Sequence, residues 1–221
     1  MIITSSYKDW KSDIYKTYSI SGDRGKSVSY KGECYSKLAP KKDFWKVWHD
    51  NIGVLSELEN NRYYIEKYWE EVLSKLDPTD VYNELNNSIL LCYESSDEFC
   101  HRYVVAAWFE LFLDVKVPEA KMNGTEIVTV ERPSYIKEYL EETIRENSDM
   151  KEFNSLKALH LYNRAEKFDN MATLLEAKTK IPQDSYINAA SFYRKEAASE
   201  EAKYQTDSKK VKKYGERKWK L

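Results

Sequence analysis

Residues 88–93, Ser-Ile-Leu-Leu-Cys-Tyr, form a compact apolar run of strand length. In an extended chain Leu90 and Cys92 point to one face, and Leu91 and Tyr93 to the other. Both faces are apolar. Such a strand belongs in the interior of a parallel sheet covered by helices on both sides. A polar stretch, Glu94–Asp97, follows it. Ser95 and Glu98 have capping-box spacing. The helix expected from about Ser96 to Leu113 is apolar almost all round, as a buried helix must be.

Other segments fit the same plan. Met1–Tyr7 is β-branched and reads as a first strand, and Tyr15–Ser21 as a second. The second ends in SGDRGK, where two glycines permit turn conformations. A helix is expected after Pro40, with Phe44, Val47 and Trp48 on one face. Another is expected over Asn61–Leu76, where Ile65, Tyr68, Trp69, Val72 and Leu76 recur at helical spacing. Asp77 and Pro78 mark the start of a short helix, as N-cap and first helical residue. Asn123-Gly124 precedes a further strand, Glu126–Val130. This order predicts an α/β fold with a mainly parallel sheet flanked by helices and right-handed crossovers.

Strand signals then vanish. Pro133–Glu146, Lys151–Lys180 and Asp184–Tyr204 are helical in composition. The expected organisation is an α/β domain over 1–130, a helical C-terminal appendage over 131–204 and a basic tail over 205–221. Net charge is −2, so any nucleic-acid bias is local. It resides in Lys209–Lys220, where seven Lys or Arg stand against one Glu. Three cysteines, Cys34, Cys92 and Cys100, do not make a disulfide framework. No apolar stretch approaches the roughly 20 residues that span a bilayer, and the N-terminus lacks signal-peptide character. A cytoplasmic location with no membrane association is expected.

The stretch LLCYESSDEFCHRYVVAAWFE resembles the signature of the bacterial domain-of-unknown-function family 488. There a buried strand, a polar turn and a Cys-His-Arg helix start follow one another. KLAPKKDFWKVW and NNRYYIEKYWEEVL resemble the family segments that come before the signature. Gly22-Asp23-Arg24 stands where the family has Asp-Val-Arg. The resemblance covers about residues 1–117. It implies a compact α/β fold and no established reaction.

In a parallel sheet, ligands bind beyond the carboxyl ends of the strands. Cys92 and Glu94 stand at such an end, and Cys100, His101 and Arg102 at the start of the next helix. One reading makes Cys92 or Cys100 a thiolate nucleophile activated by His101. Arg24 and Arg102 would hold an anion at a site that includes Asp23 and Glu94, and Glu94 or Asp23 would move protons. The cysteine-phosphatase loop does not fit, because the position six after Cys92 is Glu98. A metal does not fit the spacing either. Zinc ligands come in pairs two to four residues apart, and adjacent Cys and His on a helix point about 100° apart. The plain alternative is a buried Cys92, a packed Cys100 and a surface Glu98–Arg102 pair.

The expectation is a bacterial or phage-type protein that binds or processes a phosphorylated substrate, a nucleotide or nucleic acid. No cofactor is specified. The alternative is a non-enzymatic interaction protein. Its helical C-terminal region and basic tail would bind a protein or nucleic acid partner.

Overall fold

The computed structural model describes residues 1–147 and 155–217, with side chains as far as Tyr204. The chain divides into two compact units, Met1–Asn147 and Ser148–Leu221.

The first unit is built on a six-stranded sheet. Its strands are β1 (Ile3–Ser6), β2 (Lys16–Ser19), β3 (Glu33–Cys34), β4 (Ser88–Cys92), β5 (Glu119–Asn123) and β6 (Glu126–Val130). The spatial order is β3-β2-β4-β1-β5-β6. Every pairing is parallel except β5 with β6. β4 lies between β1 and β2, in register Ile3 with Ile89 and Thr17 with Ile89. All five of its residues are buried, as its two apolar faces predict. The hydroxyls that β1 buries beside it are satisfied by neighbouring backbone and side chains. Ser5 donates to the Ala120 carbonyl at 2.6 Å and Ser6 to Asp9 at 2.7 Å.

Helices α1 (Lys42–Asp50), α2 (Glu57–Glu71), α3 (Pro78–Leu85), α4 (His101–Leu113) and α5 (Tyr135–Asn147) complete this unit. Asp77 caps α3 as expected, accepting from the Thr79 and Asp80 amides. Two Ser-x-x-Glu motifs behave differently. Ser56 and Glu59 form a reciprocal capping box that opens α2 at Glu57, four residues before the expected start. Ser95 and Glu98 close only a turn, in which the Ser95 amide donates to the Glu98 carboxylate at 2.8 Å. α4 therefore starts at His101, later than expected, with Cys100 as an extended N-cap (φ −146°, ψ 144°). α5 falls within the first unit. It packs on α2 and α4 and buries Ile136, Leu140 and Ile144. The compact boundary thus lies beyond residue 130.

β5 escaped the sequence reading. Its Glu119 and Lys121 look solvent-facing, yet Glu119 is buried and only Lys121 is exposed. β6 is mostly exposed and forms the antiparallel edge. Val47 is 45% exposed, so the buried face of α1 is Phe44 with part of Trp48.

The loop after β2 is pinned by aromatic side chains. Gly25 has φ +72°, and a Cβ there would stand 2.6 Å from Tyr30 Cβ and 2.9 Å from the Tyr7 hydroxyl. Only glycine fits. Gly22, in the same turn, would meet only the Pro40 carbonyl, at 3.8 Å.

The second unit is a helical hairpin of α6 (Leu156–Thr179) and α7 (Asp184–Arg217). Ala158, Ala165 and Ala172 on one helix, and Ala190 and Ala197 on the other, are buried at seven-residue spacing. Small residues at that period let two helices pack closely along one seam. Phe168 stacks on Tyr193 at 5.5 Å and Arg194 pairs with Asp169, which fixes the register. The expected helix start at 151–154 and the end of the basic tail at 218–221 lie outside the described residues. Residues 205–217 of that tail continue α7. Among the described residues, no helix is long and apolar enough to cross a membrane.

Candidate active site

The carboxyl ends of β2 and β4 open into a cavity of about 590 Å³. Four parts of the chain enclose it. Ser21, Gly22, Asp23 and Ser27 come from the loop after β2. Cys92, Tyr93 and Glu94 come from the end of β4. Phe99, Cys100 and His101 lead into α4, and Lys42, Trp45, Trp48 and Tyr64 come from α1 and α2. The loop after β2 and His101 share one sheet edge, as the strand-end reading expected. Aromatic rings pack along one wall: Trp48 lies 5.4 Å from Tyr64 and 5.8 Å from Phe99, centroid to centroid.

The floor is a cluster of thiol, imidazole and carboxyl groups. Cys92, Cys100 and His101 are buried, and Glu94 is half-buried. His101 Nε2 lies 3.0 Å from the Ile20 carbonyl. A carbonyl only accepts, so Nε2 carries a proton and donates it. Nδ1 then faces the sulfurs, 3.5 Å from Cys92 Sγ and 3.9 Å from Cys100 Sγ. Glu94 Oε2 lies 3.3 Å from Cys92 Sγ and 2.7 Å from Cys100 Sγ.

These groups divide the available charge. Burial pushes the Cys92 thiol well up, and a charge on Cys100 adds to it. Burial opposes ionisation of Cys100 too. The hydrogen bond from Cys92 and the charges of Arg102 and His101 outweigh it and hold Cys100 well below the usual thiol range. Burial and the Cys100 charge raise Glu94 to about 7, against the pull of His101. Burial would lower His101, but Cys100 and Glu94 raise it.

A second network shapes the wall. Tyr7 donates to Ser19 at 2.6 Å, and its hydroxyl lies 3.0 Å from that of Ser21. Burial raises Tyr7 to about 12. Tyr93 donates to Asp23 at 2.6 Å. Asp23 also accepts from Ser21, the Gly25 amide and both the amide and hydroxyl of Ser27. Burial alone would raise Asp23. The hydrogen bonds from Tyr93, Ser27 and Gly25 win and hold it well below the usual carboxylate range.

The structure therefore sorts the sequence candidates. Cys92, Cys100, His101, Glu94 and Asp23 line one cleft. Arg102 and Arg24 do not line it. Arg102 is fully buried and its guanidinium is engaged throughout. Nε contacts both Glu119 oxygens at 3.1 and 3.2 Å, and Nη1 donates to the Glu94 carbonyl at 2.9 Å. Nη2 donates to the Ser95 carbonyl and the Tyr103 hydroxyl. This replaces both the anion-holding role and the surface pair with Glu98. Arg102 clamps the turn between β4 and α4. Arg24 is exposed at φ +64°. Asp23 ties the loop together with the bonds it accepts. Lys42 is the cationic side chain at the cleft. The sequence reading had noticed the aromatic runs that carry Trp45, Trp48 and Tyr64, but nothing in them located the cleft. Glu119 had no local signal.

The fold and cleft define a mainly parallel α/β protein with a buried thiol–imidazole pair and a half-buried carboxyl at its strand ends. Residues 5–112, from β1 through most of α4, match the family model DUF488-N3a, described as the active DUF488-N3 subclade. The first unit thus resembles family 488 over that segment. No curated protein and no solved structure matches the chain.

Proposed function

We propose that the α/β unit binds, and processes, a phosphorylated substrate with a planar ring, a nucleotide or a nucleic acid end. The observation that carries this reading is the cleft itself, with an aromatic wall above a floor of nucleophile and proton carriers. Aromatic side chains stack on bases of any kind. Lys42 and the first turn of α1, where no side chain caps the free amides, supply a place for phosphate. His101 and Glu94 carry protons, and Cys92 or Cys100 is the nucleophile or a cleft wall. The word "active" in the description of the matched subclade fits this use.

The test is a titration of the full chain with nucleoside mono-, di- and triphosphates and short oligonucleotides, read by tryptophan fluorescence. Saturable quenching that Trp48→Phe diminishes is expected. Lack of saturable quenching by every phosphorylated ligand overturns the reading. A second reading rests on α7, which carries the basic residues from Lys209 to Arg217 on a helix. Salt-sensitive nucleic acid binding that disappears on removal of 205–221, with His101→Ala silent, favours that interaction role.

A further inference from the structure

The floor of the cleft has the donor set of a metal centre. Cys92 Sγ, Cys100 Sγ and a His101 ring nitrogen all lie within 4.8 Å of one another, and all three residues are buried. The distances from Nδ1 to the sulfurs, 3.5 and 3.9 Å, are within a few tenths of an ångström of a known geometry. With Zn–S about 2.3 Å and Zn–N about 2.0–2.1 Å, donors around a tetrahedral zinc stand about 3.5–3.8 Å apart. Glu94 Oε2, at 3.3 and 2.7 Å from the sulfurs, is hydrogen-bonded beside this three-donor set.

Two further features point to an ion. Metal-bound histidines donate their second ring N–H to a carbonyl or carboxylate, which fixes the tautomer. His101 does this through Nε2 and the Ile20 carbonyl, and its Nδ1 is turned to the sulfurs. The second feature removes the objection drawn from sequence. Cys100 and His101 would diverge if both were helical. Cys100 is instead an extended N-cap, so the two adjacent side chains converge with Cys92 on one point.

We propose that Cys92, Cys100 and His101 bind a zinc-class divalent cation, with the fourth position facing the cleft. Two thiolates and an imidazole select a borderline-soft ion over magnesium or calcium. The cleft opens directly onto this position, the hallmark of a catalytic and not a purely structural site. With the ion bound, the sulfurs become ligands. A bound ion would make a water at its cleft-facing position more acidic, and Glu94, beside the sulfurs, would be placed to take that proton. The metal inference concerns the cluster and does not depend on the nucleotide reading.

The experiment titrates cobalt(II) into the full-length chain after reduction and chelator treatment, with folding checked by circular dichroism. One equivalent should produce thiolate-to-cobalt charge transfer and tetrahedral visible bands, both displaced by zinc. Cys92→Ser and Cys100→Ser should each weaken the charge transfer, while Cys34→Ser leaves it intact. Two results overturn the proposal: no saturable band in folded wild-type protein, or a band that survives the Cys92→Ser/Cys100→Ser double variant. The wild-type arm excludes a folding defect as the cause. Fluorescence titration of the same stripped protein reads nucleotide binding separately, so either proposal can fail alone.

Discussion

His101 and Arg102 are consecutive residues in the first turn of α4, both buried, and they do opposite work. Every nitrogen of Arg102 is engaged, by Glu119 on β5 and by the turn after β4. His101 has one fixed partner, the Ile20 carbonyl, and turns its other nitrogen toward two thiols. A buried charge whose donors are all satisfied is structural. A buried imidazole that turns one ring nitrogen to two thiols on the floor of a cleft has that nitrogen placed for chemistry. One helix turn delivers both because the side chains leave it in different directions.

The contrast predicts a ranking of mutational effects. Arg102→Ala strands the Glu119 carboxylate in the interior and should cost about 3–5 kcal/mol of folding stability. Urea denaturation measures it. A normal unfolding midpoint with lost ligand binding would break the comparison from the Arg102 side. His101→Gln should cost less, about 1–2 kcal/mol for a compromised hydrogen bond, yet lower any turnover the cleft supports by about 10²–10⁴-fold. Equal losses of stability in the two variants would erase the distinction.

Asp23→Asn should cost least, about 1 kcal/mol, and it adds a pH signature. The folded-state pKa of Asp23 is depressed. Its contribution is therefore present above the unfolded value, about 3.9, and is lost as pH falls through the folded value. Between neutral and strongly acidic pH, the wild type should lose more stability than Asp23→Asn. Parallel pH profiles in the two proteins would show that the hydrogen bonds to Asp23 contribute nothing.

Strand β4 and the location of the cleft were legible in the sequence. An apolar run with two apolar faces has one common home, and parallel sheets bind ligands at one edge. The partner of Arg102 was not legible. Glu119 lies in a short strand next to Lys121, and its burial follows from an ion pair 17 residues away in sequence. The start of α4 misled because Ser95 and Glu98 satisfy each other in a turn as readily as at a helix start. That one shift changed the geometry of Cys100, and with it the argument against a metal. The membership of α5 was hidden too. Composition marks it as helical, while its burial against α2 and α4 is a tertiary fact.

Gly22 and Gly25 look alike on paper, but their histories should differ. Position 25 is boxed in by Tyr7 and Tyr30 and holds a left-handed backbone, so almost any replacement there is purged by selection. Position 22 faces the cleft with open space around its α-carbon. A new side chain there projects over whatever the cavity holds. Across descendants of this chain, residue 25 should stay frozen, while residue 22 is where ligand preference can drift.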